Sequence, residues 1–145
     1  MEFTVGQMTE DDIPSIRAMG KEFGIFDEEQ VKKFISEKQN IAFAAKLGGV
    51  CIGLIYGYTL TRMDMKKPQF FIYSVDIFPE YQDKGYGSRF VRHVVDWAKD
   101  NGHSETFVLT DKDNSRACRV YEKAGMTHSE KDCERMYVIE YDNSL

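Results

Sequence analysis

With 145 residues, 42% apolar and 30% charged, the chain has the material for one globular domain with a full core. A formal net charge of −5 argues against nucleic acid as a partner and favours cationic ligands. No stretch approaches the ~18 apolar residues that span a bilayer, and Met1-Glu2-Phe3 opens no export signal, so a cytoplasmic location away from membranes is expected.

Phe3 to Met8 reads as a first strand. Thr9 then caps a helix whose first turn carries Glu10, Asp11 and Asp12, acids that suit a helix N-terminus. Its apolar stripe is Ile13, Ile16, Met19 and Phe23. A second helix is predicted over residues 27–37, with Val31, Phe34 and Ile35 facing inward. Ile41 to Leu47 and Val50 to Leu60 flank Gly48-Gly49, a two-residue hairpin signal. A polar loop, Thr61 to Pro68, leads into the strongly β-prone run Phe70 to Ile77, closed by Phe78-Pro79. The next helix, over 89–100, follows a glycine loop and buries Tyr86, Phe90, Val94 and Ala98 at four-residue spacing, stopping at Asn101-Gly102. Glu105 to Thr110 is another strand, and Asn114-Ser115 caps a short helix ending at Ala124-Gly125. Glu134 to Tyr141 alternates as a last strand. The order β, α, α, β, β, β, α, β, α, β is a mixed α/β layer fold over a single domain, residues 1–145.

Cys51, Cys118 and Cys133 are scattered, with no Cys-x-x-Cys pair, and His93, His103 and His128 are dispersed. A disulfide framework is therefore not expected, and no metal is expected either.

The segment Gln82-Asp83-Lys84-Gly85-Tyr86-Gly87-Ser88 joins a strand to a helix start. Such a loop aims unpaired backbone N–H groups at one point, at the positive end of a helix dipole, and suits a diphosphate. The spacing is neither a Walker A loop nor a dinucleotide fingerprint, because Phe90 stands where the third glycine of the latter belongs. Taken alone, an ordinary strand-to-helix turn explains it as well.

A second stretch runs Asn114-Ser115-Arg116-Ala117-Cys118-Arg119-Val120-Tyr121-Glu122-Lys123-Ala124-Gly125. Asn114 and Tyr121 are seven apart, close to two helical turns, and share one face with Ala117 or Cys118 between them. Gln-x-x-Gly-x-Gly followed by Asn-x-x-Ala-x-x-x-Tyr-Glu-Lys-x-Gly resembles the GNAT superfamily of N-acetyltransferases, and the two motifs with their intervening elements cover most of the chain.

That resemblance implies a central, mostly antiparallel twisted sheet of about six or seven strands, splayed at the cofactor site and flanked by four helices. It implies acetyl-coenzyme A as co-substrate, its pyrophosphate held by the amides of Asp83, Lys84, Gly85, Tyr86, Gly87 and Ser88 behind Gln82. The pantetheine arm would lie beside Ile77 and Phe78, with Asn114 and Ala117 on its other side and Tyr121 near the sulfur. The implied reaction is direct acetyl transfer to a primary amine through a tetrahedral intermediate, with the Ile77 N–H as oxyanion donor and Tyr121 donating to the departing thiolate. The base is not fixed by the pattern: Phe71 stands where a glutamate is frequent, and Asp76 leads, with Glu80 behind it. By strict alternation Ser74 and Asp76 share one face of their strand and Tyr73 lies on the other.

The stretch Tyr73 to Gly125 is also similar to the type I aminoglycoside 3-N-acetyltransferases, most clearly at Thr110-Asp111-Lys112-Asp113, Ala117 and Val120-Tyr121-Glu122-Lys123. It departs from them at Ser74, where that class carries aspartate. A small cationic acceptor follows from this likeness, a peptide N-terminus being the alternative acceptor. The competing function is an acyl-coenzyme A sensor that binds without transferring. A homodimer is common among such proteins, with the C-terminal strand as a candidate contributor, and the residues do not decide it.

Overall fold

The computed structural model describes residues 1–17, 27–128 and 135–141. Strands β1 (Phe3–Gln7), β2 (Asn40–Leu47), β3 (Val50–Leu60), β4 (Gln69–Ile77) and β5 (Glu105–Val108) form one sheet in the order β1-β2-β3-β4-β5. The first three junctions are antiparallel; β4 and β5 run parallel. Helix α1 is described over 13–17, followed by α2 (Glu28–Ser36), α3 (Tyr86–Asp100) and α4 (Ser115–Lys123).

Local chemistry sets most of these boundaries. Thr9 opens the first helical turn through a capping box: its backbone N–H donates to Asp12 Oδ2 at 2.9 Å. Asp27 caps α2 by accepting from the N–H groups of Glu29 and Gln30. Gly48 and Gly49, at φ 58° and 82°, close the β2–β3 hairpin with Leu47 opposite Val50, as a two-residue turn of two left-handed residues requires. Ile13 and Ile16 are buried as the stripe predicted; Met19 and Phe23 lie outside the described residues.

The core lies between the sheet and α3. Phe70 and Ile72 of β4 pack with Phe90, Val91, Val94 and Ala98 of α3, and the Trp97 ring meets Phe43 and Phe70 edge-on. On the other face α2 sets Phe34 edge-on against Tyr56 and Tyr58 of β3.

Two irregularities shape the centre of the sheet. Tyr56 pairs with Ser74 but Gly57 pairs with Ile72, so Tyr73 is an extra residue, a bulge in β4. Gly57 permits this approach: a Cβ there would lie 2.0 Å from the Phe71 carbonyl oxygen. The bulge switches the parity of β4. Phe70 and Ile72 face α3 before it, and Val75 and Ile77 belong to the same core after it. Strict alternation therefore fails, and Tyr73 does not oppose Ser74 and Asp76. Its ring stacks on Tyr56, the cross-strand partner of Ser74. Meanwhile β5 pairs with β4 only from Gln69 to Ile72, so residues 73–77 run on beyond the last β5 partner and the sheet opens there.

The sheet has five strands among the described residues, fewer than the six or seven expected. Residues 135–141 are not a strand: Met136, Tyr137, Val138, Ile139 and Tyr141 alternate well enough but lie exposed, paired with no strand of the sheet. Alternation signals a strand only where one face finds cover.

Candidate active site

The loop after β4 turns at Pro79–Tyr81 and is tied back by Gln82, whose Nε2 donates to the Ile77 carbonyl at 2.9 Å. Asp83 and Gly85 then take positive φ, 61° and 86°, curling the chain onto the start of α3. Gly85 is the N-cap of this 15-residue helix, and no side chain caps it. The N–H groups of Tyr86, Gly87 and Ser88 precede the first intrahelical bond, which runs from Arg89 N to Gly85 O. They lie at the positive end of the α3 dipole, a ready site for an anion.

A cleft of about 580 Å³ opens where β4 and β5 part. The strand side supplies Val75 and Ile77; the loop supplies Gln82, Asp83, Gly85, Gly87 and Ser88; α4 and its cap supply Asn114, Ala117, Val120 and Tyr121. Gly87 sits between these walls, since a Cβ there would lie 3.4 Å from Val120 and 3.9 Å from Ile77. Asn114 caps α4 through its side-chain oxygen, which accepts from Ala117 N at 3.1 Å.

Five residues singled out from the sequence do not line the cleft. Lys84 is exposed near the Tyr81 ring. The Tyr86 ring stacks on Phe3, so only its amide belongs to the helix start. Phe78 packs with Ala44, Cys51, Met8 and Leu54, and its N–H donates to Ile52 O. Asp76 lies opposite Leu54 on the far face of β4, where Ser74 Oγ donates to its carboxylate at 2.9 Å. Glu80 is exposed on the turn.

Tyr121 is half-buried against the core. Burial first, then the neighbouring Cys118 and Asp76, hold its hydroxyl above the ordinary tyrosine value of 10.0, so it keeps its proton and can donate. Asp76 thus acts on Tyr121 from the far face while Tyr121 lines the cleft. Among the described residues no three His, Cys, Asp or Glu side chains gather as a metal site.

Arg116 and Arg119, at unspecified positions of the second motif, and Lys123, a motif residue given no role, also line the cleft. Arg116 reaches across it, donating to Gln82 Oε1 at 2.8 Å and to Asp83 Oδ2 at 3.4 Å. The signal was their spacing of three and four residues, which places three cations along one side of α4.

A family model described as the acetyltransferase (GNAT) family matches residues 9–126. No match was found among curated proteins. Among solved structures the chain is similar to an aminoglycoside acetyltransferase from an uncultured soil metagenomic sample in complex with sisomicin, at 22% identity and a TM-score of 0.80, covering 95% of this chain and 97% of that one. It is similar also to AAC(6')-Iy in complex with a bisubstrate analogue of coenzyme A, at 17% identity and a TM-score of 0.77, covering 98% and 99%. A ribosomal-protein-alanine N-acetyltransferase from Brucella melitensis biovar Abortus 2308 matches at 13% identity with a TM-score of 0.76, covering 97% and 100%. At these identities the structures speak for the fold alone.

Proposed function

The chain belongs to the acetyltransferase (GNAT) family, and from that premise we propose that it moves acetyl from acetyl-coenzyme A to a primary amine of a small cationic acceptor. The observation that carries the reading is the cleft, which has an uncapped helix N-terminus in one wall and a neutral, half-buried tyrosine in another. Its residues fit a nucleotide diphosphate: three free amides, a glycine that leaves the surface bare, and the cations of Arg116, Arg119 and Lys123.

In this reading the amides of Gly85 to Ser88 hold the pyrophosphate, and the unpaired edge of β4 beyond Ile72 takes the pantetheine arm. Acetyl-coenzyme A would supply an acetyl thioester that is activated toward nitrogen. Asp76 takes the proton of the attacking amine, directly or through water. The Ile77 N–H stabilises the oxyanion, and Tyr121 gives its proton to the departing sulfur. Asn114 and Ala117 flank the arm on the α4 side.

The aminoglycoside acetyltransferases among the similar structures support the acceptor class, and the acidic net charge suits a polycation. A homodimer and a cytoplasmic location belong to the same proposal. The first is supported by the exposed apolar run of residues 136–139 and is tested by sedimentation. The second is supported by the scattered placing of Cys51, Cys118 and Cys133 along the sequence, with no Cys-x-x-Cys pair.

Thiol release from acetyl-coenzyme A, with kanamycin, spermidine and an N-terminal peptide side by side, tests the activity. Amine-stimulated release with a polycation is the expected outcome. Saturable coenzyme A binding without any stimulated release would instead make the chain an acyl-coenzyme A sensor.

A further inference from the structure

The bulge at Tyr73 gathers three tyrosines on the sheet face away from α3. The Tyr73 ring stacks on Tyr56 at 5.6 Å and meets Tyr58 edge-on at 5.7 Å, while Tyr56 and Tyr58 stand nearly perpendicular to each other. Phe34 backs both β3 rings. Packing alone does not account for this choice. A buried sheet face is filled as well by aliphatic side chains, yet Tyr73 is 59% exposed and Tyr56 and Tyr58 are only part-buried. Burial, then the neighbouring tyrosines and, for Tyr56, Asp76, raise both β3 hydroxyls above their ordinary value, so these rings stay neutral with electron-rich faces. The protein's own ring-seated cations, among the described residues, are elsewhere: Lys84 over Tyr81 and Arg89 over Phe3.

The cluster also borders Asp76 on the far face of β4: Tyr56 pairs across the strands with Ser74, whose Oγ donates to the Asp76 carboxylate at 2.9 Å. Tyr121, in the cleft, lies within the field of the same carboxylate. An acceptor nitrogen at Asp76 therefore leaves the rest of its molecule beside the tyrosines. The attacking amine must be neutral, whereas any other amine on the same molecule stays protonated at neutral pH. A protonated amine is what electron-rich ring faces attract.

Resting on the acetyltransferase reading, we propose that Tyr56, Tyr58 and Tyr73 form a cation-binding acceptor subsite, which holds a second, protonated amino group of the acceptor while the first is acetylated beside Asp76. The substrate class is then a molecule with at least two amines, on a linear polyamine or an amino-sugar scaffold.

Isothermal titration of the coenzyme A-saturated protein tests this with spermidine, kanamycin and butylamine. At least one polycation should bind about tenfold more tightly than the monoamine, the scale of a partly desolvated cation–ring contact. Which polycation it is distinguishes the two scaffolds. Tyr73→Leu should weaken that ligand by about tenfold, with the melting temperature and coenzyme A affinity unchanged, while Tyr73→Phe should stay within about twofold because it keeps the ring. Butylamine binding as well as the polycations, native affinity in Tyr73→Leu, or equal losses in the Leu and Phe variants would each overturn the subsite. So would failure of both polycations to bind; coenzyme A saturation in that sample would leave the acetyltransferase reading standing. Failure of coenzyme A itself to bind would remove both.

Discussion

Gly87→Ala separates a glycine kept for the fold from one kept for a ligand. Gly87 is the second residue of α3, with a helical φ that any residue adopts. An added Cβ would meet Val120 at 3.4 Å and Ile77 at 3.9 Å, ordinary contact distances. For the fold, then, alanine is acceptable, and in a helix it is worth about 0.5–1 kcal/mol over glycine. For a chain of this size that corresponds to a rise of about 2 °C in Tm. The cleft has the opposite preference. The methyl would occupy the surface between Val120 and Ile77 beside the free amides, holding a phosphate oxygen off at carbon contact distance. Losing one charge-assisted hydrogen bond costs about 1.5–3 kcal/mol, a ten- to hundredfold weaker Kd for coenzyme A. Scanning fluorimetry of the free protein and titration with coenzyme A measure the two effects separately. An unchanged Kd, or a fall in Tm, would refute the assignment of this glycine to an anion site.

Four further outcomes are expected. Tyr121→Phe should lower kcat by about 10²-fold with the KM for acetyl-coenzyme A within about twofold; because the hydroxyl is held above 10.0, native kcat should fall on the alkaline side only beyond that pH, a limb the Phe variant lacks. Asp76→Asn should lower kcat by about 10²-fold with an unchanged Kd for coenzyme A, and equal turnover would remove Asp76 as the base. Arg116→Ala should raise the KM for acetyl-coenzyme A about tenfold while leaving kcat intact, since its guanidinium borders the cleft beside Asp83. Lys46→Met should cost about 1 kcal/mol at neutral pH, read by urea unfolding, because the Lys46–Asp12 pair is 2.9 Å long but partly exposed. Burial would raise Asp12, but the Thr9 N–H and Lys46 outweigh it and hold it below 3.8; its stabilisation is present above that value and lost as pH falls through the native one, so the difference between variant and native should shrink as the solution is acidified below 3.8 and vanish once Asp12 is protonated in both states.

What was legible in the sequence was what neighbouring residues decide. Gly48-Gly49 sets its turn by its own φ angles, Thr9 and Asp27 cap their helices within three residues, and the Gln82 to Ser88 loop curls through Asp83 and Gly85. The features that escaped are set across strands. The bulge at Tyr73 depends on Gly57 letting the Phe71 carbonyl approach, a contact between β3 and β4 that no window along either strand reveals. Strand β5 stops at Val108, short of the predicted Thr110, because β4 diverges from it there. The run 135–141 has the alternation of a strand, but pairing needs a neighbour that alternation does not provide.

The bulge joins these observations. Without the extra residue, a strand that turns Phe70 and Ile72 toward α3 would also turn Ser74 and Asp76 that way, with Val75 and Ile77 on the far face. Asp76 would then lie under the helices among apolar side chains, and the cleft would lose its strand-side wall. With it, one strand faces both ways: Val75 and Ile77 line the cleft, and Tyr73 and Asp76 belong to the face that carries Tyr56 and Tyr58. A transferase that brings two ligands together end to end needs such a change of side within a few residues. Gly57, through the space it leaves for Phe71, is therefore tied to the chemistry without touching either ligand.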